Sequence, residues 1–248
     1  MPELFDDWTD IYEAMIDWPK RLAHEGPLYR RLFDGVGARS VLDVACGTGR
    51  HAALFHSWGM RVEGADISSS MVRRARAAFG DPAGLVWAVR GFHEPPPPRE
   101  PFDVAICVGN SLALAPDREV AERGVRQMLA SVRRGGTVVV HVLNLWHLPD
   151  GPCVWQQLRR AELPSGEVLI AKGVHRAGLR GYVDLLVVPL AAPSEARNDS
   201  VPFLGFEAEE LQEMALRAGA ARVQLHGGYP FQAYQRESSV DLIMIAEK

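Results

Sequence analysis

VLDVACGTGRHAALFHSWGMRVEGADISSSM, Val41 to Met71, is the stretch that decides the fold. Val41, Leu42, Val44 and Ala45 form a continuous apolar run of the kind found in a strand covered on both faces. The run breaks at Cys46-Gly47-Thr48-Gly49, and a helical pattern follows. A second short run, Met60 to Ala65, comes after the helix at the spacing of a βαβ crossover and ends in Asp66. That spacing puts a carboxylate at the carboxyl end of the neighbouring parallel strand, where it can accept hydrogen bonds from both hydroxyls of a ribose. Glycines in so tight a turn supply positive φ or close backbone approach. The string lacks the Gly-Lys-Ser/Thr of a triphosphate loop. It also lacks the first glycine of the dinucleotide pattern, whose place falls at Ala45 or Cys46.

Outward from this unit, the rest of the chain reads as one large α/β domain with an elaboration. Its 248 residues, 47% hydrophobic and 23% charged, suffice for a sizeable core. A net charge of −4 gives no general reason to bind nucleic acid, which calls for clustered Lys and Arg, and Arg73-Arg74-Ala75-Arg76 reads as a solvated helix face. The three cysteines, Cys46, Cys107 and Cys153, show no metal or redox spacing, so no metal is expected and a reduced cytoplasmic setting is the default. Neither a leader pattern nor an apolar run of about 18 residues is seen, so no membrane partner is expected.

The third strand is expected over Leu85 to Val89 and the fourth over Phe102 to Val108, ending in Gly109-Asn110-Ser111-Leu112. A helix from Glu119 to Val132 leads to a fifth strand, Thr137 to Leu143, with Asn144 at its end. From Leu145 to Phe206, short β-prone runs (Val154 to Leu158, Glu167 to His175, Tyr182 to Leu190) alternate with turns and predict an antiparallel meander, either a lid or a dimerisation sheet. A helix, Ala208 to Ala218, and strands Ala221 to His226 and Val240 to Ala246 return to the main sheet. The loop Gly227 to Ser239 carries Tyr229, Phe231 and Tyr234, expected with Trp155 to face the pocket. At the other end, Leu4, Trp8, Ile11, Tyr12 and Met15 recur at helical spacing, Pro19 interrupts or restarts the helix, and Leu28 to Phe33 reads as helix. The expected division is a helical cap over 1–40, a core over 41–144 and 207–248, and the insertion over 145–206.

Taken whole, the string Val-Leu-Asp-Val-Ala-Cys-Gly-Thr-Gly with an acid about 17 residues past the last glycine resembles the class I S-adenosylmethionine-dependent methyltransferases. PFDVAICVGNSLALAPD, from Pro101, is similar to the glycine and sarcosine N-methyltransferase-like group nearly residue for residue. The resemblance implies a Rossmann-like, doubly wound, seven-stranded and mostly parallel sheet with an inserted antiparallel lid. It implies S-adenosyl-L-methionine as cofactor, held by Asp43, Ala45, Cys46, Gly47, Gly49 and Asp66, with Ile67 and Met71 lining the adenine pocket. Gly91 and Phe92 fall where that group has a small residue followed by an aromatic, and Phe92 either stacks on adenine or is core. Val108 would touch the cofactor by its backbone. Tyr12 would point at the methyl and Arg21 would pair with the methionine carboxylate.

Methyl transfer from a sulfonium needs donor and acceptor held in line and water excluded, with no nucleophilic side chain. Asn110 and Asn144, at adjacent strand ends, are candidates to orient an amine through their side-chain carbonyls. His141 and His147 flank the same end as candidate general bases for a phenol or alcohol. The resembling group has an Arg and a His where this chain has Leu143 and Leu114, so glycine is not the expected acceptor. A larger or less acidic small-molecule metabolite is, methylated at nitrogen or, alternatively, at oxygen. A nicotinamide-dependent oxidoreductase, a non-catalytic cofactor-binding module and a homodimer are the further alternatives.

Overall fold

The computed structural model describes residues 9–97 and 100–248. Leu4 and Trp8 of the expected first helix lie outside them. Two helices open the described chain, α1 (Thr9–Met15) and α2 (Trp18–Val36). Pro19 starts α2 rather than breaking it, because a helix's first turn has no use for the missing N–H. Asp17 caps the helix by accepting from the Lys20 N–H, and Gly37, left-handed at φ 58°, ends it.

The main sheet follows as β1 (Ser40–Val44), α3 (Arg50–Ser57), β2 (Arg61–Asp66), α4 (Ser69–Phe79), β3 (Leu85–Val89), β4 (Phe102–Cys107), α5 (Arg118–Ser131) and β5 (Val132–Leu143). After an insertion, α6 (Ala208–Arg217), β10 (Arg222–His226) and β11 (Asp241–Glu247) complete it. The seven strands lie in the order β10-β11-β5-β4-β1-β2-β3, parallel except for β11, which is antiparallel to both β5 and β10. All of β1 is buried, and its side chains divide by period 2 between two cores. Leu42 and Val44 pack with Met128 and Leu129 of α5 and Leu211 of α6, whereas Val41 packs with Tyr29 of α2, Phe55 of α3 and Val72 of α4. With helices on both faces and the order reversing between β1 and β4, the carboxyl ends of those strands flank the topological switch point. At the opposite ends Asp103 accepts hydrogen bonds from the Arg39 and Ser40 N–H groups and from Arg133 Nε, which locks β1, β4 and β5 in register.

The insertion is a separate four-stranded antiparallel meander: β6 (Trp155–Leu163), β7 (Gly166–Ala177), β8 (Arg180–Pro189) and β9 (Arg197–Leu204). β9 lies outside the expected runs. Its polar sequence with Pro202 reads as loop, and an edge strand tolerates that proline. Ile11 of α1 packs into Val168, Ile170 and Val187 of this sheet, and Gln157 Nε2 donates to the Met15 carbonyl at 3.0 Å. Among the described residues, no helix is long and apolar enough to cross a membrane.

Candidate functional site

Beyond β1 the chain makes a turn in which Ala45 (φ 60°), Gly47 (φ 55°) and Gly49 (φ 80°) all take left-handed backbone. The glycines do different jobs. A Cβ on Gly49 would lie 2.5 Å from Trp87 and 2.8 Å from Ala75 Cβ, so this glycine lets α3 seat against α4 and β3. A Cβ on Gly47 would meet only the Tyr12 ring, at 3.7 Å, so this glycine keeps open the space between the turn and Tyr12.

Asp66 closes the turn from the end of β2. Its two carboxylate oxygens accept from the Gly47 N–H at 2.8 Å and the Ser68 N–H at 2.9 Å, which fixes the carboxylate plane. Ser68 caps α4 by accepting from the Met71 N–H. Ile67 is exposed beside Asp66, and its Cδ1 lies against Gly91, whose other neighbour is the His93 ring. Phe92 packs on Gly124 of α5, against the core. Met71 and Cys46 are buried, and burial pushes the Cys46 thiol up, so Cys46 contributes shape rather than a thiolate.

Asp43 sits fully buried beneath the turn, and neither of its oxygens completes a hydrogen bond. Burial and then the Asp66 charge hold its carboxyl well above the usual range. Two acids thus face the floor of the cradle. The roof carries the opposite charge: Arg21 of α2 lies over Gly109, its Nη2 3.1 Å from where a Cβ would stand. Arg21 Nε donates to Glu25 at 2.7 Å, and the other Glu25 oxygen meets His51 Nε2 at 2.6 Å. Burial opposes the Glu25 charge, yet the bonds from His51 and Arg21 prevail and bring its pKa down to about 2. Burial instead lowers His51, which therefore donates as a neutral imidazole. Tyr12 also bonds to Arg21, and burial, partly offset by that guanidinium, raises its phenol to about 12.

The structure recasts the acceptor-side expectations. Asn144 is fully buried and saturated: its Nδ2 donates to the Arg236 and Ser239 carbonyls, and its Oδ1 accepts from the Trp146 N–H and the Tyr234 hydroxyl. It ties the end of β5 to the 227–239 loop and offers nothing to an acceptor. Asn110, left-handed at φ 69°, accepts from the Leu143 N–H through Oδ1, so its carbonyl bridges β4 to β5 rather than standing open. His141 accepts the Gly109 N–H at Nδ1, which places its proton on Nε2, where it donates to Asp241 at 3.0 Å. With both nitrogens engaged it positions the Gly109 turn and is not a general base. His147 lies exposed on a short 3-10 turn. Val108 is buried at the end of β4 and its carbonyl accepts from Ser111 Oγ.

The aromatic loop also differs from its expected place. Tyr229 packs between Tyr29, His24 and His141, Phe231 lies under Arg31, and Tyr234 is held by Asn144. Trp155 is 47% exposed. The residues that sequence reasoning missed are Glu25, His51 and Lys172, whose partners come from distant segments. It also missed the grouping of Cys153 with His175 and Asp184, donor atoms within 4.8 Å of one another, which forms only when β7 pairs with β8.

Comparison with known proteins agrees with this geometry. Residues 41–136 match the family model described as "Methyltransferase domain". The chain is 31% identical over 160 residues to a glycine/sarcosine N-methyltransferase of Parasynechococcus marenigrum, covering 60% of this chain and 54% of that protein. It is 30% identical over 149 residues to a dTDP-4-amino-2,3,4,6-tetradeoxy-D-glucose N,N-dimethyltransferase of Saccharopolyspora spinosa, covering 58% and 56%. The chain thus spans about half the length of the curated relatives it matches. In fold it is similar to a sugar N-methyltransferase from Streptoalloteichus, with TM-score 0.70 at 24% identity over 92% of this chain and 87% of that one. A cradle with the Asp66 carboxylate below, one guanidinium above and bare backbone between suits a ligand that carries a cationic centre and a carboxylate, as S-adenosyl-L-methionine does. Residues 41–136 are thus a methyltransferase domain, in a chain similar to glycine/sarcosine N-methyltransferases and, in fold, to a sugar N-methyltransferase.

Proposed function

We propose that the protein transfers a methyl group from S-adenosyl-L-methionine to the nitrogen of a small-molecule amine. The observation that carries this is the roofed cradle: Tyr12 and Arg21 stand over Gly47 and Gly109, the bare ends of β1 and β4, while Asp66 is fixed at the end of β2. In this reading Asp66 bonds the ribose hydroxyls, Ile67, Met71 and Gly91 enclose the adenine, and the turn from Ala45 to Gly49, with Val108, follows the methionine portion. Arg21, steadied by Glu25, receives the methionine carboxylate. The Asp66 carboxylate favours the positive end.

When bound, S-adenosyl-L-methionine would supply a methyl on a sulfonium to the amine lone pair, leaving as S-adenosylhomocysteine, with the amine's proton passing to solvent. The chain's own part is to align and to dehydrate. Tyr12 stays a neutral phenol at physiological pH and can offer its oxygen lone pairs toward the methyl without placing a charge there. The engagement of both His141 nitrogens supports nitrogen over oxygen as the acceptor, because this imidazole is already committed to the Gly109 N–H and Asp241. The inserted sheet, packed on α1, is the proposed lid.

Calorimetry tests the reading directly. S-adenosylhomocysteine should bind at one site per chain, and Asp66→Ala should weaken it by about 10- to 100-fold, the loss of a charge-assisted pair of hydrogen bonds. Saturable NAD binding with no S-adenosylhomocysteine binding would overturn it.

A further inference from the structure

Cys153, His175 and Asp184 converge on one face of the inserted sheet, and methyl transfer has no use for them. On β7 and β8 the register pairs Gly173 with Asp184 and His175 with Tyr182, so His175 and Asp184 are diagonal neighbours on the same face. The alternate residues Val174 and Val183 pack into the core, and Val168, Ile170 and Val187 of the same set meet α1, so the cluster lies on the side of the sheet turned away from the cradle. Cys153 reaches it from the segment before β6. The Arg176 N–H donates to the Pro149 carbonyl at 2.9 Å and the Gly151 N–H to the Arg176 carbonyl at 3.0 Å, which lays that segment along β7. Gly173 makes the seat, since a Cβ there would lie 2.4 Å from Cys153 Sγ.

We propose that Cys153 Sγ, His175 Nδ1 and an Asp184 carboxylate oxygen bind one borderline-soft divalent ion of the zinc class, which fastens the segment entering the insertion to β7 and β8. The three donor atoms lie within 4.8 Å of one another, and no other such group occurs among the described residues. Bonds of about 2.0 to 2.3 Å to a single ion close that spacing with small side-chain rotations. Asp184 is 7% exposed and its Oδ2 stands 2.7 Å from His175 Nδ1, yet neither atom completes a hydrogen bond. Buried polar atoms left so are costly, and a cation between them satisfies both. The Tyr182 ring, stacked on His175 with centroids 5.2 Å apart, fixes the imidazole plane, as partners of a metal-bound histidine do. A thiolate, an imidazole and a carboxylate together suit zinc rather than calcium or magnesium, which take oxygen, and three ligands leave a fourth position for water. A nucleophilic cysteine is the poorer account of the cluster: burial, and then the Asp184 carboxylate, push the Cys153 thiol up to about 11. On metal binding the thiol's proton passes to solvent as the metal–sulfur bond forms.

The test uses the full chain without a histidine tag, stripped of metal by a chelator and then titrated calorimetrically with Zn(II). One ion should bind per chain, and Co(II) in its place should show the thiolate-to-cobalt charge-transfer band of a cysteine ligand. Cys153→Ser should abolish that band, and Cys153→Ser and His175→Ala should each weaken Zn(II) by about tenfold or more. No saturable Zn(II) binding, or the same affinity in both variants, would overturn the proposal. A second measurement needs no variant: in the wild type, Zn(II) should protect Cys153 from alkylation, mapped by peptide mass spectrometry, and unchanged labelling would count against the site. Zn(II) at about a hundred times its Kd should also raise the thermal midpoint by about 5 to 10 °C, and a midpoint that stays put would remove the fastening role. Because the cluster faces away from the cradle, Zn(II) should leave S-adenosylhomocysteine affinity within about threefold, so the metal site and the methyltransferase reading stand or fall separately.

Discussion

The Arg21 guanidinium occupies the space over Gly109 that any other residue's Cβ would claim, with Nη2 3.1 Å from that point. Gly109 also holds φ at 74°, so its lack of a side chain serves both the turn and the cation above it. Gly109→Ala should weaken S-adenosylhomocysteine binding by about tenfold, at a fold cost of about 1 to 2 kcal/mol for the left-handed alanine. Calorimetry and thermal unfolding on one preparation separate the two effects, and unchanged affinity would show that Arg21 moves aside freely.

Gly47 and Gly49 should answer the same substitution in opposite ways. Gly49→Ala drives a methyl into Trp87 and Ala75, so it should destabilise the fold by about 3 kcal/mol or more. Gly47→Ala finds ordinary contact with Tyr12 and should cost about 1 to 2 kcal/mol from φ alone, yet lose most cofactor affinity. Urea unfolding beside cofactor titration distinguishes them.

Asn144→Ala removes four hydrogen bonds and strands two carbonyls and a hydroxyl, which predicts a loss of about 2 to 4 kcal/mol in stability. Since the side chain faces no ligand, the folded fraction should keep S-adenosylhomocysteine affinity within about threefold. A large kcat defect at wild-type stability would return Asn144 to the acceptor site.

Stability should fall with acid in a defined window. Glu25 has a folded pKa of about 2 against an ordinary value of 4.5, so its contribution is complete above about pH 4.5 and is lost as pH falls toward 2. That shift corresponds to about 3 kcal/mol. His51, lowered by burial, adds a separate loss that begins as pH drops below its ordinary 6.5, because the unfolded imidazole takes a proton the folded one resists. Urea midpoints from pH 7 to pH 2 should show both, and Glu25→Gln should shrink the lower one, leaving the part that Asp103 and Glu207 contribute.

The cradle's floor was legible in the sequence because its physics is local. The β1 run, the glycine turn, the Ser68 cap and Asp66 all fall within one βαβ unit, and each observed strand of the main sheet lies within a few residues of its expected span, except the early start of β5 at Val132. The acceptor side was not legible, for a reason of distance along the chain. Asn110, Asn144 and His141 look like free polar groups at strand ends until Leu143, Arg236, Ser239 and Asp241, about 30 to 100 residues away, arrive and take up their hydrogen bonds. Lys172 was hidden likewise: in sequence it is a lysine in a β-prone run, and only the packing of the α1–α2 corner over β6 and β7 sets it in one cavity wall with Arg21.

The insertion of a complete meander between β5 and β11 sets the order in which this chain can assemble. β6 to β9 are joined by short connections and pair only with their sequence neighbours, whereas Leu143 must find Asp241 across the whole insertion. Closing that gap while the insertion is unfolded carries a loop entropy that a formed meander greatly reduces. Refolding should therefore protect backbone amides of β7 and β8 before those of β10 and β11, and pulsed hydrogen exchange should resolve the two. The last strands then complete the main sheet late, bringing Asp241 to His141 and so setting the Gly109 turn, which makes binding competence one of the final events of folding.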